Sequence, residues 1–219
     1  MTITNGYASR SDFLAYMSPT DINADTTDDP VVDMLVEAAS RKIDEITQRT
    51  FYARTETHLF DAPVLTGFAP MTGYPLNYFT TSRNSSKIYF DDDLLSVTTL
   101  TNGDGSVIAS ANYLLYPANR TPKYAISLKD TTGVVWQADS SGSYLQCISL
   151  AGSWGYASTT PTDIHAACLD MAVSAYKARF GNSINQSATV TAAGIVLTPR
   201  DWSDDTRRTL QTYQRAGIA

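Results

Sequence analysis

The chain has 219 residues, of which 43% are hydrophobic and 17% charged, and its formal net charge is -6. This length and composition are typical of a globular protein with a packed core and exclude a mainly disordered chain. The acidic balance leaves no global basic field to hold nucleic acid by counterion release, so sequence-specific nucleic-acid binding is not expected. No run of about 18 apolar residues occurs, so no membrane-spanning segment is expected either.

The two cysteines, Cys147 and Cys168, are too few for a disulfide framework, and the first residues are polar, without an apolar signal region. The expectation is therefore an intracellular protein with reduced thiols. Both cysteines fall in predicted regular elements, which favours small core side chains over nucleophiles.

The first long helix is predicted from Asp29, which suits an N-cap, with Pro30 in the first turn. The residues before it are polar and acidic, apart from a short amphipathic piece at 12–17, and are interpreted as a lead-in. Apolar residues recurring at three- and four-residue steps predict the buried face of the helix. They are Val32, Leu35, Ala39, Ile43 and Ile46.

A β-rich region follows Phe51, with short runs of Val, Ile, Thr and Tyr between turn residues. Strands are predicted at residues 56–61, 87–90, 96–101, 113–116, 124–129 and 144–150. Asn102-Gly103-Asp104-Gly105 supplies the positive-φ residues of a tight turn, so 97–101 is predicted to pair with Val107 and its neighbours. Residues 62–86 are predicted to be a long loop, and the run Asp91-Asp92-Asp93 a solvated turn.

A second long helix is predicted with Thr160 as its cap and Pro161 opening its first turn, and it is predicted to end at Phe180, with Gly181 as the C′ residue. Its apolar residues occupy nearly every side of the helix, which predicts burial on more than one side. They include Ile164, Cys168, Met171 and Ala175. Packing is predicted between the two long helices. Beyond them, the sequence predicts a flexible link at residues 182–193, a short strand at 194–197 and a helix within 199–215.

The residues that could carry chemistry form no recognisable site. His58 and His165 lie outside any metal-ligand spacing, so no metal or other cofactor is expected. His165 near Asp163 leaves a hydrolase as a weak hypothesis, but no Gly-x-Ser-x-Gly elbow is present and helix capping explains the pair. We therefore expect a protein that is not an enzyme.

The order of short phrases along the chain is more informative than any single one. The first helix ends in Thr47-x-Arg49-x-Phe51, and Trp154-Gly155-Tyr156 precedes the helix that opens with Pro161-x-Asp163. The terminal phrase Leu210-x-x-Tyr213-x-Arg215 follows. In this order the phrases resemble those of the head-tail connector, or head-completion adaptor, proteins of long-tailed phages.

This resemblance implies an α+β fold: a small helical bundle with an inserted antiparallel β domain and a C-terminal docking arm. The implied divisions are residues 1–54 for the lead-in and first helix, 55–156 for the β domain, 157–181 for the second helix and 182–219 for the arm. The implied function is a neck ring, twelve-fold in the virion, that joins the portal protein to a neck stopper or tail-completion protein. The ring would continue the DNA channel without sequence-specific binding, after assembly in the host cytoplasm.

The arm has too few apolar residues to form a core alone, which favours docking onto another protein. The resemblance suggests the portal as that protein. The residues predicted to dock are Trp202, Arg207, Arg208, Leu210, Tyr213 and Arg215. Two alternatives stay open. The arm could instead fold back on its own bundle, and the thirteen tyrosines would also suit a virion module that binds carbohydrate or a receptor.

Overall fold

The computed structural model describes residues 3–17, 29–63, 87–180 and 202–215, together with the backbone of 189–190 and 196–197. The chain divides into two compact units. The helical unit comprises residues 1–52 and 159–219, and the β unit comprises residues 53–158. The predicted β domain, residues 55–156, lies within this β unit. Four helices and a five-stranded antiparallel sheet within the described ranges confirm the predicted α+β class.

The helical unit contains α1 (Arg10–Tyr16), α2 (Asp29–Thr47), α3 (Thr162–Phe180) and α4 (Asp204–Tyr213). The predicted packing of the two long helices is confirmed, because α2 lies directly on α3. At their contact the Ser40 hydroxyl lies 3.4 Å from Cys168 Sγ and donates a 2.8 Å hydrogen bond to the Val36 carbonyl. The Ser40 side chain is small and its hydroxyl is hydrogen-bonded within its own helix, so the two helices can approach closely.

The buried face of α2 is rotated from the predicted one by about one residue. Val36 is fully buried, whereas Leu35 and Ile46 are only half-buried. The contact through Ser40 explains the rotation, since it turns a face with a polar residue toward α3. The fully or nearly buried residues of α2 are Val32, Asp33, Val36, Ala39, Ser40, Ile43 and Thr47.

Both long helices are shorter than predicted at the ends nearest the β unit in sequence. α2 ends at Thr47 because Gln48 has φ of 55°, a left-handed conformation that commonly follows a helix. α3 begins at Thr162, and the Asp163 carboxylate accepts the N–H of Ile164 at 3.0 Å. The predicted C′ residue Gly181 lies outside the described residues.

The β unit contains β1 (Arg54–Phe60), β2 (Lys87–Thr101), β3 (Tyr113–Tyr116), β4 (Lys123–Leu128) and β5 (Ile148–Trp154). All neighbours are antiparallel, in the order β1-β5-β2-β4-β3. The first half of β2 pairs with β4 and the second half with β5, with register shifts near the change of partner. The predicted strand at 113–116 is confirmed to the residue.

The prediction of a solvated turn at Asp91-Asp92-Asp93 is wrong, because these residues lie inside β2. The Asp92 carboxylate forms an ion pair with Arg54 of β1. Asp93 is buried, and its carbonyl accepts the N–H of Gly155 at 2.7 Å. These partners are distant in the sequence, and they compensate for acidic residues that strand propensity disfavours.

The turn predicted at Asn102 is confirmed, although the pairing beyond it is brief. Ser106 O accepts from Asn102 N at 2.8 Å, and a single bridge joins Thr101 to Val107. The strand predicted at 144–150 instead begins at Ile148. Before it, Gln146 N donates to the Asp61 carboxylate at 2.7 Å, which holds that segment in a turn.

An aromatic cluster forms the centre of the β unit. Trp154 is fully buried, Phe90 meets it edge-on with centroids 5.5 Å apart, and the ring of His58 stacks on it at 3.9 Å. The indole N–H of Trp154 donates to the Glu56 carbonyl at 3.2 Å.

Several predictions fall wholly or partly outside the described residues. They concern residues 18–28 of the lead-in, residues 64–86 of the long loop and most of the link at 182–193. Two short strands of that region are described as backbone, β6 (Thr189–Val190) and β7 (Val196–Leu197), and they pair with each other. β7 lies within the strand predicted at 194–197.

Candidate functional site: the C-terminal helix and its surface

The end of α4 lies against the end of α2, so two phrases that the sequence analysis singled out are in contact. Arg49 Nε donates to the Tyr213 carbonyl at 2.8 Å, and Arg215 N donates to the Thr47 carbonyl at 2.9 Å. The Phe51 ring meets the Tyr213 ring edge-on at 5.4 Å. Each phrase therefore supplies structural contacts for the other.

The start of α4 is held to α3 by the carboxylate of Asp170. Oδ2 of Asp170 accepts from Thr206 Oγ1 at 2.6 Å and from Ser203 N at 3.0 Å. Burial raises the pKa of Asp170, but these hydrogen bonds outweigh burial and hold the pKa below its usual value. In the first turn of α3, the Asp163 carboxylate accepts a hydrogen bond from the Tyr213 hydroxyl at 2.8 Å.

The structure separates the predicted docking residues into two groups. Leu210 is 1% exposed inside the helical unit, and Tyr213 is half-buried against Phe51. Arg207 and Arg208 lie on the exposed face of α4. Leu210 and Tyr213 therefore pack against the chain's own bundle, as in the alternative in which the arm folds back. The two arginines remain accessible to a partner.

Trp202 and Arg215, at the two ends of the arm's described part, are both half-buried. The indole nitrogen of Trp202 is buried and has no hydrogen-bond partner among the described residues. Of the residues predicted to pack in the bundle or between subunits, Ile164, Cys168 and Met171 are buried in α3. Ala175 is exposed, so it does not contribute to the bundle core.

Tyr7, in the segment interpreted as a lead-in, is part of this region and was missed by the sequence analysis. Its hydroxyl hydrogen-bonds to the Asp44 carboxylate and accepts the N–H of Phe51 at 2.9 Å. Burial, followed by the bond to Asp44, raises the pKa of Tyr7. A lone tyrosine in a polar segment gives no sequence signal, because both its partners lie more than 30 residues away.

A second contact of the N-terminal segment is an ion pair with α2. Arg10 of α1 donates to both carboxylate oxygens of Asp33, one of them at 2.8 Å, and to Asp29 at 2.7 Å. Asp33 is buried, so the forked guanidinium compensates for the cost of burying its charge. Asp29, predicted as an N-cap, is thus also a partner of α1.

His165 faces the Asp12 carboxylate, with Nε2 3.3 Å from Oδ2. The same carboxylate accepts from the hydroxyl and the N–H of Ser9. The bond from the Ser9 N–H and the bond from Asp12 N to the Ser9 hydroxyl oxygen form the capping box of α1. These hydrogen bonds, then His165, lower the pKa of Asp12. The carboxylate lies between the hydroxyl and the imidazole, whereas a hydrolytic triad needs the imidazole between the other two.

Within the described ranges, no group of three or more His, Cys, Asp or Glu side chains is arranged to hold a metal ion. None of the described helices is long and apolar enough to cross a membrane.

The comparison with known proteins finds a similarity in structure. No protein-family model and no curated protein matches the chain. Among solved structures, a chain from the neck of an empty GTA particle, computed with C6 symmetry, is similar with a TM-score of 0.58. The match covers 100% of this chain and 95% of that one, at 13% sequence identity. The two chains share a fold.

Proposed function

We propose that the protein is a structural adaptor of a phage neck, assembled as a ring between the portal and the next neck or tail protein. The observation that carries this proposal is the fold shared, over the whole chain, with a neck component of a GTA (gene transfer agent) particle. The order of phrases that resembles head-tail connectors supports the same function. Contacts among those phrases at Thr47, Arg49 and Tyr213 give the resemblance a structural basis.

The proposed ring has twelve copies, a number that the six-fold symmetry of the similar neck accommodates as six repeats of two. Twelve chains with a net charge of -6 each carry 12 × -6 = -72 formal charges. A net negative charge disfavours retention of DNA by counterion release, which suits a channel through which DNA passes.

The portal contact is proposed to use the exposed face of α4, with Arg207 and Arg208 meeting carboxylates of the portal. Leu210 and Tyr213 support this face from below by fixing α4 on the bundle. We propose no catalytic role for His165, whose partner Asp12 belongs to a helix cap.

The proposal is tested by mixing the purified chain with portal protein from the same phage and separating the mixture on a density gradient. We expect the chain to sediment with the portal at one copy per portal subunit. A chain that stays in the light fractions refutes the adaptor function. A stable trimer of the chain alone would support the carbohydrate- or receptor-binding module instead.

A further inference from the structure

Among the described residues, no strand covers the outer edge of β3. β3 consists of Tyr-Leu-Leu-Tyr, carries no charge, and ends the strand order of the sheet. Because Lys129 N donates to the Asn112 carbonyl, the alternation of an antiparallel ladder directs the N–H and C=O groups of Leu114 and Tyr116 toward β4. The backbone groups of Tyr113 and Leu115 therefore face outward.

The opposite edge of the sheet carries charge. β1 contains Arg54, Glu56 and His58, and charged residues on an edge strand discourage pairing with any strand that does not present complementary charges. The Glu56 carbonyl accepts a hydrogen bond from the Trp154 indole. An apolar edge without such protection, with Leu114 48% exposed, is typical of a surface that another strand covers.

The charges around the two outer strands are complementary. Arg120, Lys123 and Lys129 surround β3, and none of the ion pairs among the described residues involves them. The ammonium groups of Lys123 and Lys129 rest on backbone carbonyls of the adjoining loops at 2.6 Å. One carboxylate, that of Asp130, follows Lys129 in the chain.

The side of the β unit that carries β1 is acidic. Glu56 and Asp91 lie there, with side-chain exposures of 43% and 87%, and Asp61 is also exposed. Glu56 and Asp91 both face His58, and Glu56 also pairs with Arg54, yet acidic side chains outnumber basic ones on this side. A basic rim around one outer strand and an acidic surface around the other suit a head-to-tail contact between identical chains. Such contacts close into rings when the rotation between copies permits.

We propose that the β3 edge of one copy contacts the outer strand β1, and the acidic surface around it, on the next copy of this chain. The outward backbone groups of Tyr113 and Leu115 bond to that strand, and the basic rim meets Glu56 and Asp91. This inference rests on the proposed function, because a ring places copies side by side. It adds which surfaces meet.

The test uses nuclear magnetic resonance on the full chain without portal, as the chain concentration is raised to its solubility limit. The amide signals of Tyr113 and Leu115 should shift with concentration, whereas those of Leu114 and Tyr116, already bonded to β4, should shift much less. Leu114→Glu with Arg120→Glu should abolish the shift, and so should Glu56→Lys with Asp91→Lys. A Val107→Glu control, at a residue 68% exposed elsewhere on the β unit, should keep it.

Mixing the two charge-reversed variants provides the decisive measurement. Each alone presents like charges on both surfaces, but in the mixture each surface of one variant meets a surface of opposite charge on the other, so the shift should return. Thermal melting checks that each variant folds. If the variant that combines Leu114→Glu with Arg120→Glu does not fold, Arg120→Glu alone, at an exposed residue, replaces it.

Three results overturn the proposal: a wild-type chain whose outward amides never shift, an edge variant that keeps the shift, or a mixture that fails to restore it. Because portal is absent, a chain that pairs through β3 but does not bind portal refutes the adaptor function and not this contact.

Discussion

At the scale of single residues, the helical unit depends on buried polar groups whose partners are far away in sequence. Tyr7 joins Asp44 to the backbone of Phe51, and Arg10 neutralises the buried Asp33. Periodicity identifies apolar faces but carries no information on such pairs. For this reason the apolar residues Ile43 and Ile164 were predictable from the sequence, whereas the contribution of Tyr7 was not.

Tyr7→Phe should lower the free energy of unfolding by about 1–3 kcal/mol, because it leaves the buried N–H of Phe51 without an acceptor. Denaturation by urea measures the change. Tyr16→Phe is the matched control, since Tyr16 is 54% exposed on α1. Equal stabilities of the two variants would contradict the assigned contact.

Asp170→Asn tests the carboxylate that holds the start of α4. A carboxylate whose pKa is lowered by folding adds stability above its unfolded pKa of about 3.9, and that stability is lost as pH falls through the folded pKa. The difference in unfolding free energy between wild type and variant should therefore be largest near neutral pH and shrink in acid. Urea denaturation across pH measures it.

The control for this pH dependence is Asp205→Asn, at an exposed residue in the first turn of α4. Its difference from wild type should be small. A difference for Asp170→Asn that stays constant from neutral to acid pH would show that the charged form of the carboxylate does not stabilise the fold.

At the scale of elements, the sequence pattern predicts that a strand or helix exists. Contacts with distant parts of the chain decide where each one begins and ends. β3 and β4 were predictable because Tyr, Leu and Ile alternate or cluster between turn residues. β2 was not predictable as one strand, because Arg54 stabilises Asp92 from another part of the chain. The rotation of α2's buried face likewise depends on the contact between Ser40 and Cys168.

Val36→Asp should unfold the helical unit or destabilise it severely, because it buries an unpaired charge at a site with no exposed surface. Leu35→Asp should be milder, because Leu35 is only half-buried and its new carboxylate can reach solvent. Circular dichroism during thermal melting compares them. A Leu35 variant less stable than the Val36 variant would contradict the observed orientation of α2.

Leu210→Ala tests whether α4 belongs to the bundle. Removing this fully buried side chain should cost about 2–5 kcal/mol, whereas Arg207→Ala, on the exposed face of the same helix, should change stability by less than about 0.5 kcal/mol. Urea denaturation of both variants measures the costs. If Leu210→Ala were as stable as wild type, α4 would be a free arm.

At the scale of the whole molecule, the phrases that resemble connector proteins are scattered along the sequence but have a common structural explanation. The phrases around Thr47, Phe51 and Tyr213 converge in one place, where the ends of α2 and α4 meet. Which surfaces face portal, neighbour or DNA was not predictable, because these contacts depend on partners that the chain's own pattern does not encode. The division of the docking residues into buried and exposed groups also needed the structure.

Arg207→Glu combined with Arg208→Glu should weaken portal binding without changing stability, because both side chains are exposed on α4. Binding to immobilised portal at several salt concentrations measures this. Lys42→Glu, at an exposed residue of α2, is the control and should bind like wild type. Full-affinity binding by the double variant would place the portal contact elsewhere.

The proposed function requires that the chain form a ring on the portal. Electron-microscopy averages of purified portal incubated with the wild-type chain test it most directly. We expect added density in a closed ring, coaxial with the portal and twelve-fold. Bare portals at saturating chain concentration, or density scattered without rotational order, would contradict the account.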